Sequence, residues 1–128
     1  MIDYNDLIGQ PFDEEKNNCY DLVREVFRRN GIDIPATNVS VCACKQASNQ
    51  EILEHAAKYW VSINKPEIPC GILIQSTHPD FANHIGAYIG DGKFIHVTIN
   101  RAVAVDRISD WKHKIIGYYQ YVGNSHNS

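Results

Sequence analysis

In the segment "NCYDLVREVFRRNG", residues 18–31, apolar side chains return at Cys19, Leu22, Val23, Val26 and Phe27, while Arg24, Glu25, Arg28 and Arg29 fill the remaining positions. That spacing predicts an amphipathic helix with one buried stripe and a solvated outer face. Asn17 or Asn18 can cap its start, and Asn30-Gly31 supplies a left-handed stop. Cys19 falls in the first turn, on the apolar stripe, at the positive end of the helix dipole. Before it, "DYNDLIGQPF" reads as a short helical turn ended by Gly9 and Pro11, followed by a polar loop to Asn18. After it come "IDIP", an irregular stretch from Ala36 to Ser48, and a second helical pattern, "NQEILEHAAKYW", with Asn49 as its cap.

From Gly71 onward the period changes. "GILIQS", "HIGAYIG", "KFIHVTI", "AVAVDR" and "IIGYYQYV" are short β-rich runs separated by turn residues at close intervals. A helical half followed by an antiparallel meander of about five strands predicts an α+β fold. Residues 1–122 are expected to form one domain, and the polar 123–128 a frayed tail. No repeat, linker or low-complexity block interrupts the chain.

Bulk properties narrow the function classes. At 128 residues the chain is one domain in size, able to bury a core without staples. A formal charge of −3 leaves no broad basic surface, so nucleic acid is not an expected partner. The start "MIDYNDLIG" has no basic region ahead of an apolar run, and no run reaches the length of a membrane span. Cytoplasmic synthesis without a signal peptide is therefore the expectation. Four cysteines, Cys19, Cys42, Cys44 and Cys70, would allow two disulfides, but for a cytoplasmic chain the expected state is the reduced thiol.

Two histidines, His84 and His96, lie on successive expected strands, and the loop between them decides whether they share a face. A two-residue Asp91-Gly92 turn pairs Gly90 with Lys93 and sends the imidazoles to opposite faces. A three-residue loop with Gly92 left-handed pairs Ile89 with Lys93, sets Gly86 opposite His96 and His84 opposite Thr98, and puts both on one face. They would then be diagonal neighbours roughly 7–8 Å apart at the backbone. The other face would carry Ile85, Ala87, Ile89, Ile95, Val97 and Ile99 as core. The residues leave both loops open.

These groups suit one chemistry. A thiolate at a helix N-terminus is favoured by the macrodipole and free amides, and an adjacent imidazole completes its activation. His84 could take the Cys19 proton and later protonate a leaving amine, with His96 fixing the orientation of His84. The Cys19 backbone amide could meet the developing oxyanion. Taken singly, each has a plainer reading: Cys19 and Cys70 as small buried hydrophobes, His96 as a satisfied core-edge residue.

In combined order, "NCYDLVREVFRRNGIDIP", "HIGAYIGDGKFIHVT" and "AVAVDRISDWKHKIIGYYQY" resemble the NlpC (NlpC and p-sixty) family of papain-like cysteine peptidases, and within it the phage tail-assembly versions. The resemblance runs from about Leu7 to Val122. It implies a papain-like fold, Cys19 as nucleophile, His84 as general base and His96 as the third, orienting residue. It further implies hydrolysis of peptidoglycan stem peptides, commonly between D-glutamate and the diamino acid, with no metal or cofactor, and phage tail proteins as partners, with the virion tail as the place of action. Three departures stand out. "NCYD" replaces the "DCSG" of most cell-wall members, which puts Tyr20 and Asp21 beside the nucleophile. Phe12 stands where many members have a tyrosine, and so lacks a hydroxyl for the oxyanion. The gap from Cys19 to His84 is long for the family.

Three other functions compete. Cys42, Cys44, Cys70 and His78 could make a tetrahedral zinc site, although a one-residue spacing between Cys42 and Cys44 is shorter than structural zinc sites use. The fold could serve tail assembly without catalysis. A Cys-His pair also suits a thiol amidase or acyltransferase, which passes through the same acyl-enzyme.

Overall fold

A computed structural model describes residues 2–13, 17–34, 60–75, 83–98 and 101–123. Helix α1, Cys19–Arg29, forms where the apolar stripe predicted it, with Cys19, Tyr20, Leu22, Val23, Val26 and Phe27 buried. Asn18 is the cap, and it closes a capping box. Its side-chain oxygen accepts from the Asp21 amide at 2.8 Å, and the Asp21 carboxylate accepts from the Asn18 amide at 3.4 Å. The helix ends in a Schellman arrangement: Gly31, at φ +84°, donates to the Arg28 carbonyl, and Ile32 donates to that of Phe27.

Six strands follow: β1 Trp60–Ile63, β2 Gly71–Gln75, β3 Asn83–Gly90, β4 Lys93–His96, β5 Ala104–Arg107 and β6 Ile115–Tyr121. They form one antiparallel sheet in the order β1-β6-β2-β3-β4-β5. The α+β class holds, with two corrections to the expected meander. Trp60, expected to end a second helix, instead opens a sixth strand; the rest of that helical pattern lies outside the described residues. The sheet is a meander only from β2 to β5, since β6 returns to lie between β1 and β2. A four-residue helix, α2, Ile108–Trp111, and a single 3-10 turn, Lys112–Lys114, join β5 to β6.

Strand alternation divides the apolar residues between two faces. Helix α1 packs on β3 and β4 and closes the larger core with Leu73, Ala87, Ile95, Val97 and Trp60. Phe27 meets Trp60 edge-on, ring centroids 5.4 Å apart. Each such fully buried side chain contributes roughly 1.5–3 kcal/mol. The other face carries a smaller cluster, Cys70, Ile72, Ile74 and Phe94, flanked by Tyr88 and Trp111. Arg29 ties the N-terminal turn to α1, with both guanidinium Nη atoms 2.7 Å from the Asp6 carboxylate and Nε 2.7 Å from Glu25. Residues 9–12 run antiparallel to 101–103 through the Gly9-to-Val103, Val103-to-Gln10 and Phe12-to-Arg101 amide-to-carbonyl bonds.

Candidate active site

The β3-β4 hairpin takes something from each of the two predicted loops. Asp91 and Gly92, at φ +56° and +71°, form the two-residue turn, and Gly90 pairs with Lys93. One step further the register shifts, and Tyr88 pairs with Phe94 and Ala87 with Ile95. A bulge at Ile89-Gly90, with Gly90 at φ +100°, absorbs the extra residue. The body of the hairpin therefore has the register of the three-residue loop. Ile85, Ala87, Ile89, Ile95 and Val97 point to the α1 core, and His84 and His96 share the opposite face.

There the imidazoles meet directly, with His84 Nε2 2.7 Å from His96 Nδ1. The far nitrogen of His96, Nε2, lies 2.6 Å from Asp106 Oδ2 on β5. His96 is held from two further sides. The Phe94 ring lies with its centroid 4.6 Å away, and Trp111 of α2 meets it edge-on at 5.0 Å. Both imidazoles are buried, at 7% and 5% exposure, so neither ring can turn without displacing packed neighbours.

Burial also sets their charge. It lowers the pKa of His84 far below that of a free imidazole, helped by the neighbouring His96, and lowers that of His96 against the opposing pull of Asp106. Both rings are neutral near pH 7. His84, His96 and Asp106 thus form one hydrogen-bonded line across β3, β4 and β5.

Asp106 was not among the residues singled out from sequence. It lies on the strand diagonal from His96, whose direct partner is Ala104. Alternation along "AVAVDR" offers it to one face or the other, but only the length of the loop between β4 and β5 decides which.

Cys19 opens α1, completely buried, with the helix packed across β3 and β4. The expectation of reduced thiols does not hold for it: its sulfur is in a disulfide. Cys70 is free, and Cys42 and Cys44 lie outside the described residues. Whether a thiol is bridged depends on which sulfurs meet in space, and the spacing of cysteines along the chain does not give that. Cys70 is buried among apolar side chains that push its pKa up to about 11.

The neighbours that depart from the family pattern have structural work. Asp21 completes the capping box, and Tyr20 is buried, its hydroxyl pKa raised to about 12 mainly by that burial. Phe12 packs at the margin of the α1 core. Of the proposed zinc ligands, Cys42, Cys44 and His78 lie outside the described residues. Among the described residues no three His, Cys, Asp or Glu side chains are grouped to hold a metal ion, and no helix is long and apolar enough to cross a membrane.

Comparison with known proteins gives concordant results. The NlpC/P60 family profile matches residues 9–120. A solved structure of an NlpC/P60 family protein from Bacillus cereus ATCC 10987 superposes with a TM-score of 0.57 at 17% identity, over 91% of this chain and 37% of that one. At that identity the likeness is one of fold, and this chain spans little more than a third of that protein's length. Comparison with curated proteins gives no match.

Proposed function

The chain belongs to the NlpC/P60 family, and from that premise we propose that it is a cysteine endopeptidase that hydrolyses peptidoglycan stem peptides, with Cys19 as nucleophile, His84 as general base and His96 as orienting residue. The observation that supports this reading is the 2.7 Å bond between two buried imidazoles on β3 and β4, the strands whose opposite face carries the helix that Cys19 opens; bringing the Cys19 sulfur to His84 is part of the proposal.

The chemistry follows from those groups once Cys19 is a thiol. His84 takes the S–H proton, and the thiolate attacks the scissile carbonyl. The Cys19 amide, at a helix N-terminus, meets the oxyanion that forms. Collapse of the tetrahedral intermediate breaks the C–N bond, and the proton held by His84 goes to the leaving amine. Water then gives a proton to His84 and attacks the thioester, and the thiolate leaves. His96 keeps the His84 ring in place through both halves.

The bond between D-glutamate and the diamino acid is the proposed target, and service in a phage or prophage tail the proposed setting. Both rest on the resemblance of "NCYDLVREVFRRNG" and "HIGAYIG" to tail-assembly members. Digestion of purified peptidoglycan by reduced protein, with fragments read by mass spectrometry, tests the activity and names the bond. New termini that vanish in Cys19→Ala are expected. A Cys19 acyl-enzyme that forms without hydrolysis would favour the acyltransferase, and no reaction at all from reduced protein would favour a structural role. Failure to co-sediment with tail proteins would count against the tail setting.

A further inference from the structure

We propose that Asp106 is a positioning residue that fixes the tautomers of both imidazoles in turn and so leaves His84 Nδ1 as the one basic nitrogen for the nucleophile.

The inference deepens the peptidase reading and rests on it for its catalytic meaning, but its premises are geometric. A carboxylate can only accept hydrogen bonds, so at 2.6 Å from Asp106 Oδ2 it is His96 Nε2 that carries the proton. A neutral imidazole has one N–H, which leaves His96 Nδ1 bare. That bare nitrogen faces His84 Nε2 at 2.7 Å, so the His84 proton must sit on Nε2. His84 Nδ1 is then the unprotonated atom. One carboxylate thus assigns the protons on two rings, the second of which it does not touch.

The assignment holds only while His96 is neutral. Were His96 charged, its Nδ1–H would point at His84 Nε2 and force the His84 proton onto Nδ1, where it could no longer accept from a thiol. Burial against Phe94 and Trp111 opposes that charge, whereas Asp106 by itself would favour it. The apolar packing and the carboxylate therefore have separate tasks. Packing keeps the ring uncharged, and the carboxylate chooses which nitrogen holds the hydrogen. During the reaction, when His84 holds both protons, its Nε2–H still donates to His96 Nδ1, and no proton need leave the line.

A plainer role is possible for such a residue: a side-chain tie between β5 and β4. Tautomers separate the two. In protein labelled with 15N-histidine, wild type is expected to show His84 and His96 both as the Nε2–H form near pH 7. Asp106→Ala, at a side chain 40% exposed, is expected to fold and to show His84 as a mixture of tautomers. Its kcat on peptidoglycan is expected to fall about tenfold or more with KM little changed. Asp106→Asn, which can still accept through its carbonyl oxygen, is expected to retain the His84 tautomer in part and lose less rate. His84 as the Nδ1–H form in wild type, or an unchanged tautomer in Asp106→Ala, overturns the proposal. The spectra do not depend on turnover. Correct tautomers in a protein that cleaves nothing would therefore sink the peptidase reading and leave the proton assignment standing.

Discussion

Gly86 lies across the hairpin from His96, and a β-carbon built on it would sit 3.2 Å from His96 Cβ, 3.1 Å from the Ile95 carbonyl oxygen and 3.0 Å from the Phe94 ring. Two of those three neighbours form or hold the imidazole line, and the third is backbone. Gly86→Ala is therefore expected to push His96 away from His84 rather than to unfold the sheet. Displacements approaching 1 Å at a catalytic group cost up to about 100-fold in rate. Peptidoglycan digestion should show a loss of tenfold or more at a near-native melting temperature. Full activity would mean that the line tolerates movement.

The disulfide at Cys19 makes the proposed activity conditional on reductant. A half-cystine has no thiolate to attack a carbonyl. Without dithiothreitol the protein should cleave nothing, and iodoacetamide should leave Cys19 unlabelled. With reductant both reactions should appear together, while buried Cys70 stays unlabelled in the native state. Equal cleavage by oxidised and reduced protein would remove Cys19 from the nucleophile's role.

The buried imidazoles give the oxidised protein a predictable weakness in acid. Below pH about 6.5 the unfolded chain binds protons at His84 and His96 that the folded protein refuses. Stability should then fall as pH drops from 7 to 5, by up to about 1.4 kcal/mol per pH unit for each imidazole. Urea denaturation across that range checks the slope, and His84→Gln should remove its share.

The capping box divides unequally. Asn18 accepts at 2.8 Å and Asp21 at 3.4 Å, so Asn18→Ala should cost about 1 kcal/mol and Asp21→Ala less. Chemical denaturation of both variants, side by side, measures the difference. An equal or reversed pair of costs would mean that the Asp21 charge at the helix start matters more than the hydrogen bond.

Helix α1 was legible because local periodicity determines it, whereas the shared face of Ile85 and Ala87 with Ile95 and Val97 was conditional on the hairpin register. So was the pairing of His84 with His96, and the register turned on a bulge at Ile89-Gly90 that no residue type announces. Trp60-Val61 reads equally well as the end of a helix or the start of a strand, and only its partner β6, far along the chain, decides. Asp106 was hidden for a similar reason. Its approach to His96 depends on the length of the loop between β4 and β5, whose far end is held by the Val103-to-Gln10 bond. The bridge at Cys19 depends on which thiols meet in space, which spacing alone does not say.

The place of β6 has a consequence for how the molecule comes into being. This strand is the last described in the chain, yet it lies inside the sheet, hydrogen-bonded to β1 on one side and β2 on the other. During synthesis β2 to β5 can pair in order as they emerge, but β1 waits for its neighbour among the described strands until residues 115–121 have left the ribosome. Trp60, which meets both Phe27 and Tyr121 edge-on, cannot be clasped before then. Closing contacts of such long sequence separation are slow to form. The core beneath Cys19 is therefore completed late, only after residues 115–121 have joined β1 and β2.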